Sequence, residues 1–210
     1  MRDLFKKSTT ILATLIVGIR IYTSSIYAAV NTPMFGGKYT QGVGNITIYI
    51  DNASNAGYWE KYIKGGANNW MYPGYGMSNP IYIQFVSSNY GSKMDFYCAS
   101  NSFFANTAPS WVTVAACTEF YDSNENKVFP KINNSVSWYY AKIYINNDVF
   151  KKDSFSDNEA QGTIIHEMGH AFGLDHNNDN KYSIMCQSAQ GRQVERVTTY
   201  DNNSINVKYN

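Results

Sequence analysis

Several residue types are scarce in this chain of 210 residues. It contains three histidines, three cysteines and five prolines, and only 16% of its residues are charged. The 17 basic and 16 acidic side chains almost cancel, which leaves a formal net charge of +1. Because phosphate backbones and anionic membrane surfaces attract strongly basic proteins, this balance does not indicate either partner. We therefore expect no nucleic-acid partner.

Long hydrophobic runs are absent beyond the first thirty residues. That segment has a basic start, an apolar run at 11–19 (ILATLIVGI) and a small-residue end, SSIYAAV. This order is typical of a secretory signal peptide, here cleaved after Ala28 or Ala29. Nine apolar residues followed by Arg20 are too short to cross about 30 Å of hydrocarbon, which argues against a membrane anchor. We expect a secreted protein without stable membrane association, with the signal peptide at 1–29.

The remainder has the size and composition of one domain. The chain is 44% hydrophobic, and no internal repeat or long linker divides residues 30–210, so a single monomeric domain is expected. Alternating or continuous apolar stretches predict strands within 45–51, 81–86, 93–98, 111–121 and 139–146. Apolar residues at helical spacing predict an early helix. Gly65 and Gly66 either weaken this prediction, because glycine disfavours a helix, or indicate close packing on a sheet. The combination predicts an α+β fold.

The three cysteines leave two arrangements open. Cys98 and Cys117 can form a disulfide that leaves Cys186 free, or all three can be unpaired buried thiols. The spacing alone does not choose between them, because a disulfide depends on how close the two backbones lie.

All three histidines lie in one stretch of eleven residues, HEMGHAFGLDH. On a helix, His166 and His170 are four positions apart and present their rings on the same face. Gly173 can end the helix in the left-handed conformation, which lets His176 return toward the first two rings. Three histidines with an open fourth position are typical of a catalytic zinc site. Glu167, beside the first ligand, is the candidate general base for a water molecule.

An accidental match on an ordinary helix is the alternative interpretation. Four observations together argue against it. A capping box, Ser156 with Glu159, starts the helix, and an apolar stripe follows at helical spacing. The stripe consists of Ala160, Ile164, Met168 and Ala171. Five specified positions within eleven residues, in a chain without any other histidine, favour a metal site.

The pattern H-E-x-x-H-x-x-G-x-x-H resembles the metzincin zinc endopeptidases. Ser183-Ile184-Met185 is similar to their methionine turn, with Met185 beneath the metal. Among metzincins the chain looks most like a bacterial matrixin over roughly residues 45–210. The resemblance implies a zincin-like fold with a twisted five-stranded mixed sheet, about three helices and an active-site cleft under the edge strand. The helices are expected near 54–71, 157–172 and 198–209.

The resemblance also implies how a polypeptide substrate binds. The edge strand, within 111–121, would pair with an extended substrate. The segment 187–197 would form the wall of the pocket for the side chain beyond the scissile bond.

Some family features are missing or open. Gln187 occupies the position where the astacin branch has a tyrosine, so no tyrosine near the metal is assigned. Animal matrixins carry a propeptide with a zinc-blocking cysteine, but no cysteine precedes Cys98 in this sequence, so we expect no cysteine-switch propeptide. Structural calcium stays open, because the clusters at 122–126 and 177–180 are also typical of turns.

Two functions from different classes are compatible with these residues. The first is a secreted zinc endopeptidase that hydrolyses peptide bonds with zinc-activated water. The second is an inactive module that keeps zinc for stability and binds a protein or glycan. Glu167 favours the enzyme, because a binding module does not need that carboxylate.

Overall fold

The computed structural model describes residues 31–210, apart from 109, 111, 112 and 153. The predicted signal peptide at 1–29 therefore lies outside the described residues. Within the described part, no helix combines the length and apolar character needed to span a bilayer.

The described chain forms six strands and five helices. The strands are β1 Ile46–Ile50, β2 Ile83–Val86, β3 Met94–Ala99, β4 Ala116–Tyr121, β5 Lys127–Val128 and β6 Tyr140–Asn146. The helices are α1 Glu60–Met71, α2 Asn101–Thr107, α3 Asn147–Phe150, α4 Asp157–Ala171 and α5 Thr199–Tyr209. Short 3₁₀ turns occupy Ala56–Trp59 and Ser188–Gln190. The predicted α+β class is confirmed.

One mixed sheet joins all six strands in the order β2-β1-β3-β6-β4-β5. The first four strands in this order are parallel, and β4 is antiparallel to both β6 and β5. The expected count of five strands misses β5, and the expected count of three helices misses α2 and α3. These elements have two, seven and four residues, which is too short for a periodic pattern to show.

Helices α1 and α4 pack against each other through the two adjacent glycines of α1. A Cβ atom on Gly66 would lie 2.9 Å from Ile164 Cγ2, and one on Gly65 would lie 2.3 Å from Gln161 Oε1. Both neighbours belong to α4. The prediction that these glycines pack on a sheet is therefore wrong: they allow close approach of two helices.

The three cysteines are unpaired thiols. Cys98 lies opposite Ile145 on one side of β6, and Cys117 lies opposite Tyr144 on the other side. Two steps between neighbouring strands separate their backbones by about 10 Å. A disulfide requires Cα atoms within about 7 Å, so this geometry excludes the Cys98–Cys117 bridge.

Candidate active site

Helix α4 begins and ends as its sequence predicts. Ser156 Oγ accepts a hydrogen bond from Glu159 N at 3.2 Å, and Glu159 Oε2 accepts one from Ser156 N at 2.8 Å. These reciprocal bonds form the predicted capping box. The helix ends at Ala171, and Gly173 adopts a φ of +96°, a left-handed conformation that glycine tolerates best. The chain therefore reverses direction just before His176.

The three histidine rings point their Nε2 atoms at one another. His170 Nε2 lies 3.1 Å from His166 Nε2 and 3.2 Å from His176 Nε2. The Nδ1 atoms of the first two rings lie 2.8 Å from the Ile184 carbonyl and 2.9 Å from the Leu174 carbonyl. A carbonyl oxygen only accepts, so each Nδ1 carries the hydrogen and each of these two Nε2 atoms presents a lone pair.

This donor set fits a zinc ion. Two nitrogens bound to a tetrahedral zinc at about 2.0–2.1 Å lie about 3.3–3.4 Å apart, close to the observed spacings. Without a cation, two lone pairs facing each other at 3.1 Å would repel. Burial lowers the pKa of His166 and His170, and it lowers that of His176 to about 4. The rings are therefore neutral at pH 7, which is the form that binds a metal.

Glu167 lies beside the three rings with a buried carboxylate. Its Oε2 accepts a hydrogen bond of 2.7 Å from Thr118 Oγ1 on β4. Burial raises the pKa of Glu167 to about 7, against the opposing effect of the Thr118 hydrogen bond. A carboxyl group with such a pKa can both accept and return a proton near neutral pH.

Met185, the residue of the predicted methionine turn, packs against α4. Its side chain is fully buried, and its Sδ would be 2.3 Å from a Cβ atom placed on Gly169. The absence of a side chain at Gly169 therefore lets the methionine pack directly against α4, one residue before His170.

Asp201 holds the methionine turn from the first turn of α5. Its fully buried carboxylate accepts five hydrogen bonds. The donors are Thr32 Oγ1 (2.8 Å), Ser183 Oγ (2.5 Å), Ile184 N (3.1 Å), Thr198 N (3.0 Å) and Thr198 Oγ1 (2.7 Å). Because the Ile184 carbonyl accepts from His166, this network also supports a candidate ligand. Thr198 and Asp201 form a capping box at the start of α5, which is the local part of this network.

A second contact missed at the sequence level comes from the start of the described chain. Phe35 stacks on the ring of His170, with centroids 6.1 Å apart. Its backbone N donates to the Gly173 carbonyl at 2.9 Å. The segment before β1 therefore packs against the turn that follows α4, a long-range contact without a local sequence pattern.

The cleft in front of the histidines has a volume of about 330 Å³. It is lined by residues from the segment before β1, from β4 and the residues just before it, from α4 and the turn after it, and from the segment after Met185: Phe35, Val114, Ala116, Cys117, Thr118, Phe120, His166, Glu167, His170, Asp175, His176 and Gln187. Asp175 Oδ1 accepts from His176 N at 2.7 Å, so it stabilises the local turn. In the segment predicted to wall the pocket, Arg192 pairs with Glu195 at 2.8 Å.

The family model described as matrixin matches residues 75–210, and no curated protein matches the sequence. Among solved structures, the chain is similar to high choriolytic enzyme 1, a hatching-enzyme zinc protease from the medaka fish Oryzias latipes. That match has 16% identity, a TM-score of 0.45, and covers 84% of this chain and 94% of the other. Myroilysin matches at 15% identity and a TM-score of 0.43, covering 87% and 95%.

The matrixin match covers well over half of the chain and includes α4, the three histidines and the methionine turn. The protein therefore belongs to the matrixin family and is a zinc metallopeptidase that hydrolyses peptide bonds.

Proposed function

We propose that this metallopeptidase is an endopeptidase for extended polypeptides, that His166, His170 and His176 hold its zinc, and that Glu167 is its general base. The observation that carries the proposal is the convergence of three Nε2 atoms within 4.8 Å of one another. Two of these rings are fixed by hydrogen bonds from Nδ1 to backbone carbonyls. Such outer partners orient metal-binding histidines and set their tautomer.

The bound zinc supplies a Lewis acid that polarises the scissile carbonyl and makes a nearby water more acidic. The Glu167 carboxylate takes a proton from the attacking water, whose oxygen bonds to the carbonyl carbon. The bond between that carbon and the amide nitrogen breaks, and Glu167 returns the proton to the leaving amine. The buried setting of Glu167 supports both roles, because burial raises the pKa of its carboxyl group toward physiological pH.

The open edge of β4 supports an extended substrate. Strand β5 pairs only with Phe120 and Tyr121. Among the described residues, no strand pairs with the outer edge of 116–119. A substrate backbone added there would run along the cleft in front of the histidines.

Secretion is part of the proposal and is supported by the sequence of the first 29 residues. Their basic start, short apolar run and small-residue end are typical of a signal peptide. Determining the N-terminal residue of the exported protein tests it. Cleavage after Ala28 or Ala29 is expected, and export of a protein that retains the first 29 residues would contradict it.

The decisive experiment separates metal binding from catalysis. The zinc-loaded protein is assayed on casein and on a quenched peptide library beside Glu167→Gln and His176→Ala. Wild type should cleave both substrates and lose activity with a chelator. Glu167→Gln should keep one zinc per chain while kcat falls by at least 10²-fold, because a general base contributes about 10²–10⁴. His176→Ala should lose zinc.

Zinc content measured in the same preparations controls for misfolding. Equal zinc retention in Glu167→Gln and His176→Ala would refute the ligand assignment. A zinc-loaded wild type that cleaves no peptide in a broad library would instead indicate the inactive binding module.

A further inference from the structure

One side chain from another element holds the Glu167 carboxylate. Thr118 Oγ1 lies 2.7 Å from Glu167 Oε2 and 3.0 Å from the Glu167 carbonyl oxygen. The ionised carboxylate and the carbonyl oxygen only accept, so the threonine hydroxyl is the donor and shares its one hydrogen between them. This contact connects β4 to α4 across 49 residues of sequence. The strand at the rim of the cleft and the candidate base are therefore coupled directly.

The N–H and C=O groups of Thr118 point away from the neighbouring strand β6. In an antiparallel pair, alternate residues direct both N–H and C=O at the partner strand. Asn146 N donates to the Ala115 carbonyl at 2.8 Å, in the same register that pairs β4 with β6. Ala115, Cys117 and Glu119 therefore direct their peptide groups at β6. The N–H and C=O of Thr118, between them, point to the outer edge.

The hairpin between β4 and β5 stops just before it would cover that edge. Its register places Phe120 opposite Val128, and Asp122 N donates to the Asn126 carbonyl at 3.0 Å. Two residues further, the same register would place Pro130 opposite Thr118. Proline has no N–H and cannot continue the ladder. The peptide groups of Thr118 are therefore left available for another chain.

From these contacts we infer that Thr118 is a positioning residue, whose hydroxyl orients the Glu167 carboxylate from the strand proposed above to pair with the substrate. The inference rests on the proposed function above. The Thr118 hydroxyl donates to Oε2 of Glu167. The other carboxylate oxygen, Oε1, accepts no hydrogen bond within the described part of the chain. Oε1 is thus the oxygen free to accept a proton from water. Substrate pairing and base orientation then depend on one strand.

The test is steady-state kinetics on the zinc-loaded full chain, with a quenched peptide that wild type cleaves. Thr118→Val keeps the shape of the side chain and removes the donor. We expect kcat to fall about 10- to 100-fold, as for a small misplacement of a reacting group. KM should change by less than about twofold, because the valine keeps the backbone groups that bind substrate. Zinc content should be unchanged.

Two further comparisons keep the test decisive. Thr118→Ser should recover kcat to within about threefold of wild type, whereas Thr118→Ala, which differs from it by one hydroxyl, should resemble the valine variant. This pair decides the question if valine disturbs folding. Thr47→Val is the matched control: its hydroxyl accepts from Lys93 N at 3.1 Å on β1, away from the cleft. It should keep the wild-type kcat.

A wild-type kcat in Thr118→Val or Thr118→Ala, or a serine variant as slow as the alanine variant, would overturn the inference. A rise in KM with unchanged kcat would also overturn it, because that pattern indicates substrate binding alone. These outcomes test the role of Thr118 only if wild type cleaves the peptide and Glu167→Gln does not. Failure of that condition refutes the proposed function rather than the role of Thr118.

Discussion

His166 uses both nitrogens of its ring, and the two have different tasks. Nδ1 donates to the Ile184 carbonyl, whereas Nε2 faces the other two histidines. The backbone N–H of Ile184 in turn donates to Asp201 Oδ2 at 3.1 Å. The orientation of one candidate ligand therefore depends on a carboxylate 35 positions later in the chain. At the residue scale, the site extends beyond the side chains that face the cleft.

Asp201→Asn tests this dependence. The amide keeps the shape of the side chain but replaces one acceptor with a donor that would face hydroxyl and N–H groups. Hydrogen bonds to a charged group contribute about 1.5–3 kcal/mol each, so we expect the free energy of unfolding to fall by about 3 kcal/mol. Zinc affinity should fall about 10- to 100-fold, as for other partners of metal-binding histidines. Urea unfolding and competition with a zinc chelator measure the two effects.

Asp179→Asn is the control, because Asp179 lies on an exposed loop. It should change the unfolding free energy by less than about 0.5 kcal/mol. If Asp201→Asn unfolds at the same urea concentration as wild type and binds zinc equally well, the proposed support of His166 by Asp201 is wrong.

At the residue scale, the sequence predicts local relations better than distant ones. The spacing of His166, His170 and Gly173 predicts a shared helix face and a turn, both of which depend on neighbouring residues. Thr118 and Asp201 reach the site through tertiary packing, so no spacing rule identifies them. The inward-facing alternation of Ala116, Thr118 and Phe120 is the one sequence pattern that points to the threonine, because it places a hydroxyl between two apolar positions.

At the scale of elements, helix α4 is where prediction from sequence succeeds most fully. Its capping box, apolar stripe and terminal glycine all agree with the structure. The edge strand is less well predicted, since β4 begins at Ala116 rather than near residue 111. Strand β5 has two residues, and it is a strand because these residues pair with β4 in a hairpin. Its own sequence is too short to predict a strand.

The contact between α1 and α4 gives a prediction at this scale. Gly66→Ala would place Cβ 2.9 Å from Ile164 Cγ2 and 3.2 Å from Met168 Sδ, so both helices must shift. Overpacking usually costs about 1–3 kcal/mol, and the helix preference of alanine over glycine returns up to about 1 kcal/mol, so we expect the free energy of unfolding to fall by about 1–2 kcal/mol. Thermal or urea unfolding of the zinc-loaded protein measures it.

Gly65→Ala is the matched control on the same helix. Its Cβ would meet only the amide end of Gln161, a flexible side chain that can move aside. Alanine favours a helix by about 1 kcal/mol over glycine, which offsets the loss of the Gln161 hydrogen bond to the Tyr62 carbonyl. A change within about 0.5 kcal/mol is expected. Equal destabilisation by both substitutions would show that close packing on α4 does not distinguish the two positions.

At the scale of the whole molecule, three distant parts of the chain meet behind the metal site. Thr32, the methionine turn and the first turn of α5 all donate to Asp201, and Tyr209 near the end of α5 donates to the Phe172 carbonyl at 3.0 Å. The site therefore depends on the completed fold rather than on α4 alone. This explains why the eleven-residue motif predicts the chemistry but not the supporting contacts.

The same arrangement predicts how strongly zinc stabilises the fold. The three Nε2 atoms come together only in the folded chain, so zinc binds the folded state preferentially. Free zinc at about 1,000 times its Kd should add about 4 kcal/mol to the free energy of unfolding. For a domain of this size, that corresponds to a rise in Tm of roughly 8–16 °C. Thermal unfolding across a zinc titration, starting from chelator-treated protein, measures the shift.

Two controls test whether the zinc-dependent rise in Tm comes from binding to the three histidines. Magnesium, which prefers oxygen ligands, should leave the Tm of wild type unchanged. His176→Ala should lose most of the zinc-dependent rise, because two nitrogens hold the ion less tightly than three. A wild-type Tm independent of zinc would contradict a metal site built from these rings. A full rise in the His176→Ala variant would place the bound zinc elsewhere, since that variant lacks the ring whose Nε2 lies 3.2 Å from His170 Nε2.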